Sequence, residues 1–335
     1  MKKTLLLILF CCSLLGVKAQ KSYWGREIPL DTSYTRYNTY NKMKKAFPEC
    51  SPALPVLPKG VIEERDVVYT ILADSAHYGR KLHLDIFRPS KSGKYPALIM
   101  VHGGGWRSGN KSLQVPMAMQ IAARGYVTVT VEYQLLLEAI YPNAVHNIKS
   151  AVRWMRANAD KYGIDSTKIA ISGCSAGGQL ASLVGLTSGV TKFEGNMGNS
   201  GHSSDIQAII DIDGVIDFMA PTSLNLPRSP QSLDAVWIGG TFEEKPLLWK
   251  EVSPIFWVNK NSPPVLFLNS GFPKYHAGQD EMIGMMKEFG IYSEVHKFEV
   301  KMHPFWLLHP WMDQTVNYMS GFLDRVFKPQ NNDTN

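Results

Sequence analysis

From residue 65 onward the apolar residues switch repeatedly between two spacings. Val67–Leu72 and Leu82–Phe87 alternate as half-buried, paired strands do, and the second run ends at Arg88-Pro89. Ala97–Val101 is continuously apolar, as expected of a strand covered on both faces, and Tyr126–Val131 is rich in β-branched residues. Helical spacing then appears over Ala144–Tyr162, where Val145, Ile148, Val152, Met155 and Ala159 share one side. Lys168–Ile171, Ile206–Ile212, Val265–Leu268 and Tyr292–Phe298 read as further strands. Ala176–Leu186, Ala277–Phe289 (stopped by Gly290) and Thr315–Phe327 read as helices. This alternation predicts an α/β fold, a mostly parallel twisted sheet flanked by helices on both faces, in one domain over 65–328. The Gly-, Ser- and Asn-rich stretch 187–205 reads as a loop. Residues 220–262 hold five prolines and no clean period, as an excursion over the sheet edge serving as lid or substrate wall would.

The two ends follow other rules. Residues 20–64 are rich in Tyr, Thr, Pro and Lys, and Pro52, Pro55 and Pro58 break helical continuity, which predicts an extended segment packed on the domain. Residues 329–335 read as a flexible tail. Residues 1–19 have the layout of a secretory signal peptide: Lys2 and Lys3, an apolar run from Leu5 to Leu15, then Val17-Lys18-Ala19 with Gln20 as the new N-terminus. The run is too short for the roughly 20 apolar residues of a membrane span. Lipidation at Cys11 or Cys12 is the competing reading, and bulky Phe10 disfavours it. The expectation is a chain exported to a periplasm or beyond, with no membrane association after cleavage.

Composition adds limits. The chain has 335 residues, 44% hydrophobic and 19% charged, which excludes a disordered chain, and 4 cysteines, which excludes a disulfide scaffold. The formal charge of 35 − 29 = +6 invites a polyanionic partner. Cleavage removes Lys2, Lys3 and Lys18 and no acid, leaving 32 − 29 = +3. The remaining basic residues are scattered, without the aromatic interleaving that would suggest nucleic acid. Of the cysteines, Cys50 and Cys174 survive cleavage, and a bridge between them is disfavoured because Cys174 falls in a tight turn.

That turn carries the strongest chemical signal, Gly173-Cys174-Ser175-Ala176-Gly177. A G-x-S-x-G string alone is weak. Placed between a strand and a helix it is a nucleophile elbow, in which a sharp turn projects the serine hydroxyl above the sheet. The competing reading makes Ser175 an ordinary helix N-cap. Cys174 is not the nucleophile of such an elbow, whose tip is its central residue. The second signal is His102-Gly103-Gly104-Gly105-Trp106, directly after Ala97–Val101. Acyl transfer puts negative charge on a carbonyl oxygen, and backbone N–H groups of Gly104, Gly105 and Ala176 would stabilise it. A phosphate-binding loop fits poorly, since G-x-x-x-x-G-K-S/T is absent. His102, His276 and His303 lack any recognised metal-ligand spacing, so no metal or cofactor is expected.

These two motifs in this order resemble the α/β-hydrolase superfamily, in its hormone-sensitive-lipase-like esterase branch. Tyr133-Gln134-Leu135, Tyr141-Pro142 and Val152-Arg153-Trp154 resemble it too. More finely, the chain resembles bacterial carbohydrate esterases, among them acetyl-xylan, feruloyl and pectin esterases. The stretches around His276-Ala277-Gly278-Gln279-Asp280-Glu281 and His303-Pro304-Phe305-Trp306, with His309-Pro310-Trp311, resemble pectin-directed esterases of gut bacteria. The resemblance implies an α/β-hydrolase fold and the chain order Ser, acid, His. His303 is then the expected base, His309 the rival, and His296 is disfavoured by lying within a strand.

The acid departs from that branch. Its usual Asp follows the strand Val265–Leu268, where this chain has Asn269-Ser270-Gly271-Phe272-Pro273. Asp213 at the end of Ile206–Ile212 is the favoured replacement, since some lipases of this fold take their acid there. Asp280 at a helix start is the alternative, Asp217 and Glu281 are outsiders, and a site without a strong acid is also compatible. Trp106, His276 and Trp306 are expected to bind substrate, with aromatic faces against sugar rings. Trp311 is as readily a core residue. Arg107, Lys111 and Lys274 are candidate partners of a uronic-acid carboxylate. The expected activity is hydrolysis of esters on plant cell-wall polysaccharide, foremost pectin (a uronic methyl ester or an acetyl group). Acetyl-xylan or feruloyl esterase, a prolyl-oligopeptidase-like peptidase, and an inactive glycan-binding hydrolase fold are the alternatives.

Overall fold

The computed structural model describes residues 31–73 and 77–328, together with two short backbone stretches at 20–21 and 27–28. The expected leader at 1–19 and tail at 329–335 lie outside the described residues. Eight strands form the main sheet: β1 Val61–Ile71, β2 Lys81–Pro89, β3 Tyr95–Val101, β4 Val127–Val131, β5 Ile164–Cys174, β6 Ala208–Ile212, β7 Val265–Asn269 and β8 Ser293–Lys297. Their spatial order is β8-β7-β6-β5-β3-β4-β2-β1. β2 runs antiparallel to β1 and β4, and every other pairing is parallel.

Five longer helices cover this sheet: α1 Val115–Ala122, α2 Asn143–Ala157, α3 Ala176–Leu186, α4 Gln279–Glu288 and α5 Trp311–Phe327. The alternation of side chains along β3 divides the core. Ala97, Ile99 and Val101 pack with Val145, Ile148 and Val152 of α2 and Leu180 of α3. Leu98 and Met100 pack with Met119 of α1 and Val316, Met319 and Phe322 of α5 on the opposite face. A strand sandwiched this way has no polar face, which is why its sequence is apolar throughout.

Two expectations need correction. β1 begins at Val61, four positions before the expected domain start at 65, where polar residues masked the strand (65 − 61 = 4). The N-terminal segment is not wholly extended, because Arg36–Met43 forms a helix whose cap Thr35 accepts from the Asn38 N–H. Only Thr39 of this helix is buried, so no apolar stripe announced it. In the region 220–262, expected as lid or substrate wall, short helices Pro221–Leu224, Leu233–Ile238 and Pro246–Glu251 bury Trp237 and Trp249. Cys50 and Cys174 are both free and buried. Among the described residues no helix is long and apolar enough to cross a membrane.

Candidate active site

Adjacent strands end side by side at the C-terminal edge of the sheet. Cys174 of β5 is the register partner of Ile212 of β6, so the residues that follow them, Ser175 and Asp213, emerge next to each other. The Ser175 N–H donates to the Ile212 carbonyl at 2.8 Å, and the Asp213 N–H donates to the Leu268 carbonyl at 3.0 Å. Both residues sit in left-handed backbone, with φ of 57° and 53°. For non-glycine residues each such position costs about 1–3 kcal/mol, and the surrounding strands hold it in place. The flanking glycines are required sterically. A Cβ on Gly173 would lie 1.9 Å from the Gly177 carbonyl oxygen, and one on Gly177 would lie 2.4 Å from that of Val101.

Ser175 occupies the N-cap position of α3, yet its hydroxyl makes no capping bond. Instead Ser175 Oγ lies 2.7 Å from His303 Nε2, and His303 Nδ1 lies 2.8 Å from Asp213 Oδ2. The structure thus brings together the expected nucleophile, base and favoured acid. The second carboxylate oxygen, Asp213 Oδ1, accepts from the Ser270 N–H at 2.7 Å. Burial pushes the Asp213 carboxyl up, but His276, His303 and Ser270 outweigh it and hold the group below the usual carboxylate range. Burial pushes His303 down; Asp213 opposes this, Lys274 adds to it, and the net shift is downward.

The sign of that shift predicts the pH profile. The base must be neutral, and a lowered pKa keeps it neutral to more acidic pH. The acidic limb of kcat/KM is expected below the ordinary imidazole value of about 6.5. A limb above neutrality in a pH–rate series would contradict the burial argument.

Gly104, Gly105, Ser175 and Ala176 face one another across a cleft of about 400 Å³ that also exposes His303. Ala176 opens α3, so its N–H has no acceptor within the helix and is available to a ligand. Gly104 and Gly105 adopt φ of 125° and 60°, which lets the loop turn its backbone toward the cleft. His102 does not enter the cleft: it is buried, its ring stacks on Tyr133, and burial lowers it to about 4.

The three residues expected to bind substrate separate. Trp106 lines the cleft, while its ring stacks on Trp237 at 4.7 Å and its indole N–H donates to Gln179 Oε1 at 3.1 Å. Trp306 is only 1% exposed and stands edge-on to the His303 ring at 5.1 Å, so it backs the base rather than facing substrate. His276 also moves role. Its Nε2 is buried without a hydrogen-bond partner, 3.7 Å from Asp213 Oδ1, so it faces the acid.

Among the acids, Asp280 on α4 accepts from Gln279 Nε2 at 3.4 Å, whereas His303 pairs with Asp213. Asp217 accepts from the Met219 N–H at 2.7 Å, and Glu281 is exposed. The rival histidines are engaged elsewhere, His309 with Asp313 at 2.7 Å and His296 with Glu294 at 2.5 Å. Trp311 packs edge-on against Phe47. No cluster of metal-ligating side chains occurs among the described residues.

Six cleft residues were not anticipated: Tyr34, Ser108, Gln179, Val215, Leu233 and Tyr275. Tyr275 stacks on His303 with ring centroids 3.6 Å apart and planes 13° from parallel. It belongs to the 3-10 turn Pro273–His276, the segment that stands in the usual place of the acid. Its position beside His276 was the available signal. Tyr34 and Leu233 also line the cleft, from the N-terminal segment and the 220–262 wall. Neither lies in a motif, so nothing local marked them.

The architecture and the motifs have known counterparts. The BD-FAE family model matches residues 84–284. Over 191 residues the chain is 32% identical to "Esterase LipC" of Mycobacterium tuberculosis, covering 56% of this chain and 47% of that protein. The chain spans about half the length of the curated relatives it matches. Among solved structures, "Bifunctional GH43-CE" of Bacteroides eggerthii superposes with a TM-score of 0.68 at 25% identity, over 79% of this chain and 38% of that one. A "Truncated form of carbohydrate esterase from gut microbiota" gives 0.68 at 24%, over 82% and 98%, a likeness of fold. With the elbow, the glycine loop and the eight-stranded sheet all in place, the chain belongs to the BD-FAE family of α/β-hydrolases.

Proposed function

We propose that this chain is an exported serine carboxylesterase that removes ester groups from plant cell-wall polysaccharide, foremost pectin. The single observation that carries the hydrolase reading is the continuous relay Ser175–His303–Asp213, opening into the cleft lined by Gly104, Gly105 and Ala176. The esterase names of relatives such as "Esterase LipC" support it. The export reading rests on the leader-like residues 1–19.

In the mechanism His303 Nε2 takes the Ser175 proton as Oγ attacks the ester carbonyl. Asp213 holds Nδ1–H toward itself and stabilises the imidazolium that forms. The tetrahedral oxyanion is received by the N–H groups of Gly104, Gly105 and Ala176. His303 then protonates the leaving alcohol, leaving an acyl-serine. Water, deprotonated by the same imidazole, attacks that acyl group and restores Ser175. A uronic methyl ester releases methanol first; an acetylated sugar releases the sugar hydroxyl first and acetate second.

The test is product release from citrus pectin, acetylated xylan and feruloylated arabinoxylan, with methanol, acetate and ferulate measured separately. Methanol or acetate from pectin at the highest rate is the expected result. Faster release from either xylan substrate would reassign the polymer, and no release from any ester, p-nitrophenyl acetate included, would overturn the hydrolase reading.

A further inference from the structure

The cleft has a second chamber. A cavity of about 380 Å³ adjoins the first and shares Trp106, Val215, Leu233 and Tyr275 with it. Phe218, Arg228, Asp234 and Lys274 also line it. The cations near the site differ in one respect. Arg107 pairs with Asp31 at 3.2 Å, Lys111 with Asp85 at 2.5 Å and Asp66 at 2.7 Å, and Arg228 with Asp234 at 2.6 Å. Lys274 is exposed and makes no ion pair among the described residues. Its ammonium lies 4.8 Å from the centroid of the Tyr275 ring, and that ring stacks on His303.

One aromatic ring therefore separates an uncompensated cation from the general base. The shared wall of Trp106, Val215 and Leu233 offers apolar surface to the C–H face of a sugar ring. Arg228 and Asp234 pair with each other within the chamber, which leaves Lys274 as its cation without an acidic partner. A neutral sugar would fill the chamber and leave Lys274 unmatched.

We propose that this outer chamber is a binding subsite for the carboxylate of a uronic acid next to the ester being cleaved, and that Lys274 reads that charge. The proposal rests on the ester-hydrolase reading and sharpens its substrate to partly de-esterified uronic chains. Of the three cations that sequence alone offered for this role, the pairing of Arg107 and Lys111 leaves Lys274.

The test compares one scissile bond in two contexts. Methanol release is measured from a partly and from a fully methyl-esterified oligogalacturonide, and the ratio of the two kcat/KM values is followed. Native protein is expected to favour the partly esterified chain, and Lys274→Gln to lower the ratio by up to about fivefold, the upper range of an exposed ion pair. Raising salt should lower the ratio for native protein and leave it flat for the variant, while Lys274→Arg should retain it. A ratio that does not change in Lys274→Gln, or no preference in native protein, overturns the subsite while the hydrolase reading stands. Turnover of p-nitrophenyl acetate without action on either oligogalacturonide also overturns it. Failure on all three substrates removes the hydrolase reading, and the subsite with it.

Discussion

Ser175→Ala is expected to lower ester hydrolysis by at least about 10,000-fold with the fold intact. The size follows from losing the only atom that forms the acyl intermediate; in enzymes of this kind the residual rate comes from oxyanion stabilisation and binding alone. The fold should survive because the Ser175 side chain caps no helix and its hydroxyl bonds only to His303. Initial rates on p-nitrophenyl acetate give the first readout, near-ultraviolet circular dichroism the second. A mass increase on treatment with a fluorophosphonate, present in native protein and lost in the variant, gives the third. Retention of a tenth or more of the native rate in a folded variant would show that another group does the chemistry.

Asp213→Asn carries the second largest effect, a fall in kcat of about 10,000-fold with KM little altered. An amide can present N–H to His303 Nδ1, which favours the tautomer with the proton on Nε2, and that tautomer cannot accept from Ser175. The imidazolium formed during attack also loses its counter-charge. Asp280→Asn is the matched control and is expected to stay within about twofold, because Asp280 meets Gln279 and not the base. The comparison is decisive in either direction. If Asp280→Asn costs more than Asp213→Asn, the relay seen here is not the one that works.

The legible and illegible parts of this site divide along a physical line. Ser175 and the loop at 102–106 were readable because their geometry is enforced locally, by glycines that tolerate no Cβ and by a strand-to-helix turn a few residues long. Asp213 was readable only by argument from strand ends, since its place beside Ser175 depends on the parallel register of β5 and β6. His276 and Trp306 lie against the acid and the base, not along the cleft lining, for a common reason. Neighbourhood to a motif says that a residue is near the site but not which way its side chain turns. A 3-10 turn such as Pro273–His276 has no apolar period from which to read direction. Neighbouring residues of that turn serve different ends: Lys274 lines the outer chamber, Tyr275 covers the base and His276 meets the acid. The N-terminal helix Arg36–Met43 was missed because its stability signal is a cap, not a stripe.

The N-terminal segment does more than lean on the sheet. Asp31 bridges to Ser108 beside the glycine loop and pairs with Arg107, Tyr34 enters the cleft, and Ser51–Pro52 forms a two-residue ladder with Leu308–His309 just beyond the base. The stretch that marks the family, 84–284, contains Arg107 and Ser108 but not Asp31, Tyr34, Ser51–Pro52 or Leu308–His309, and it stops 303 − 284 = 19 positions short of His303. The stretch matched by the family model is therefore smaller than the stretch that brings Ser175, Asp213 and His303 together. Transplanting 84–284 into a chimaera would transfer the nucleophile, the acid and the oxyanion loop, but neither the proton acceptor nor the strap that closes the cleft around it.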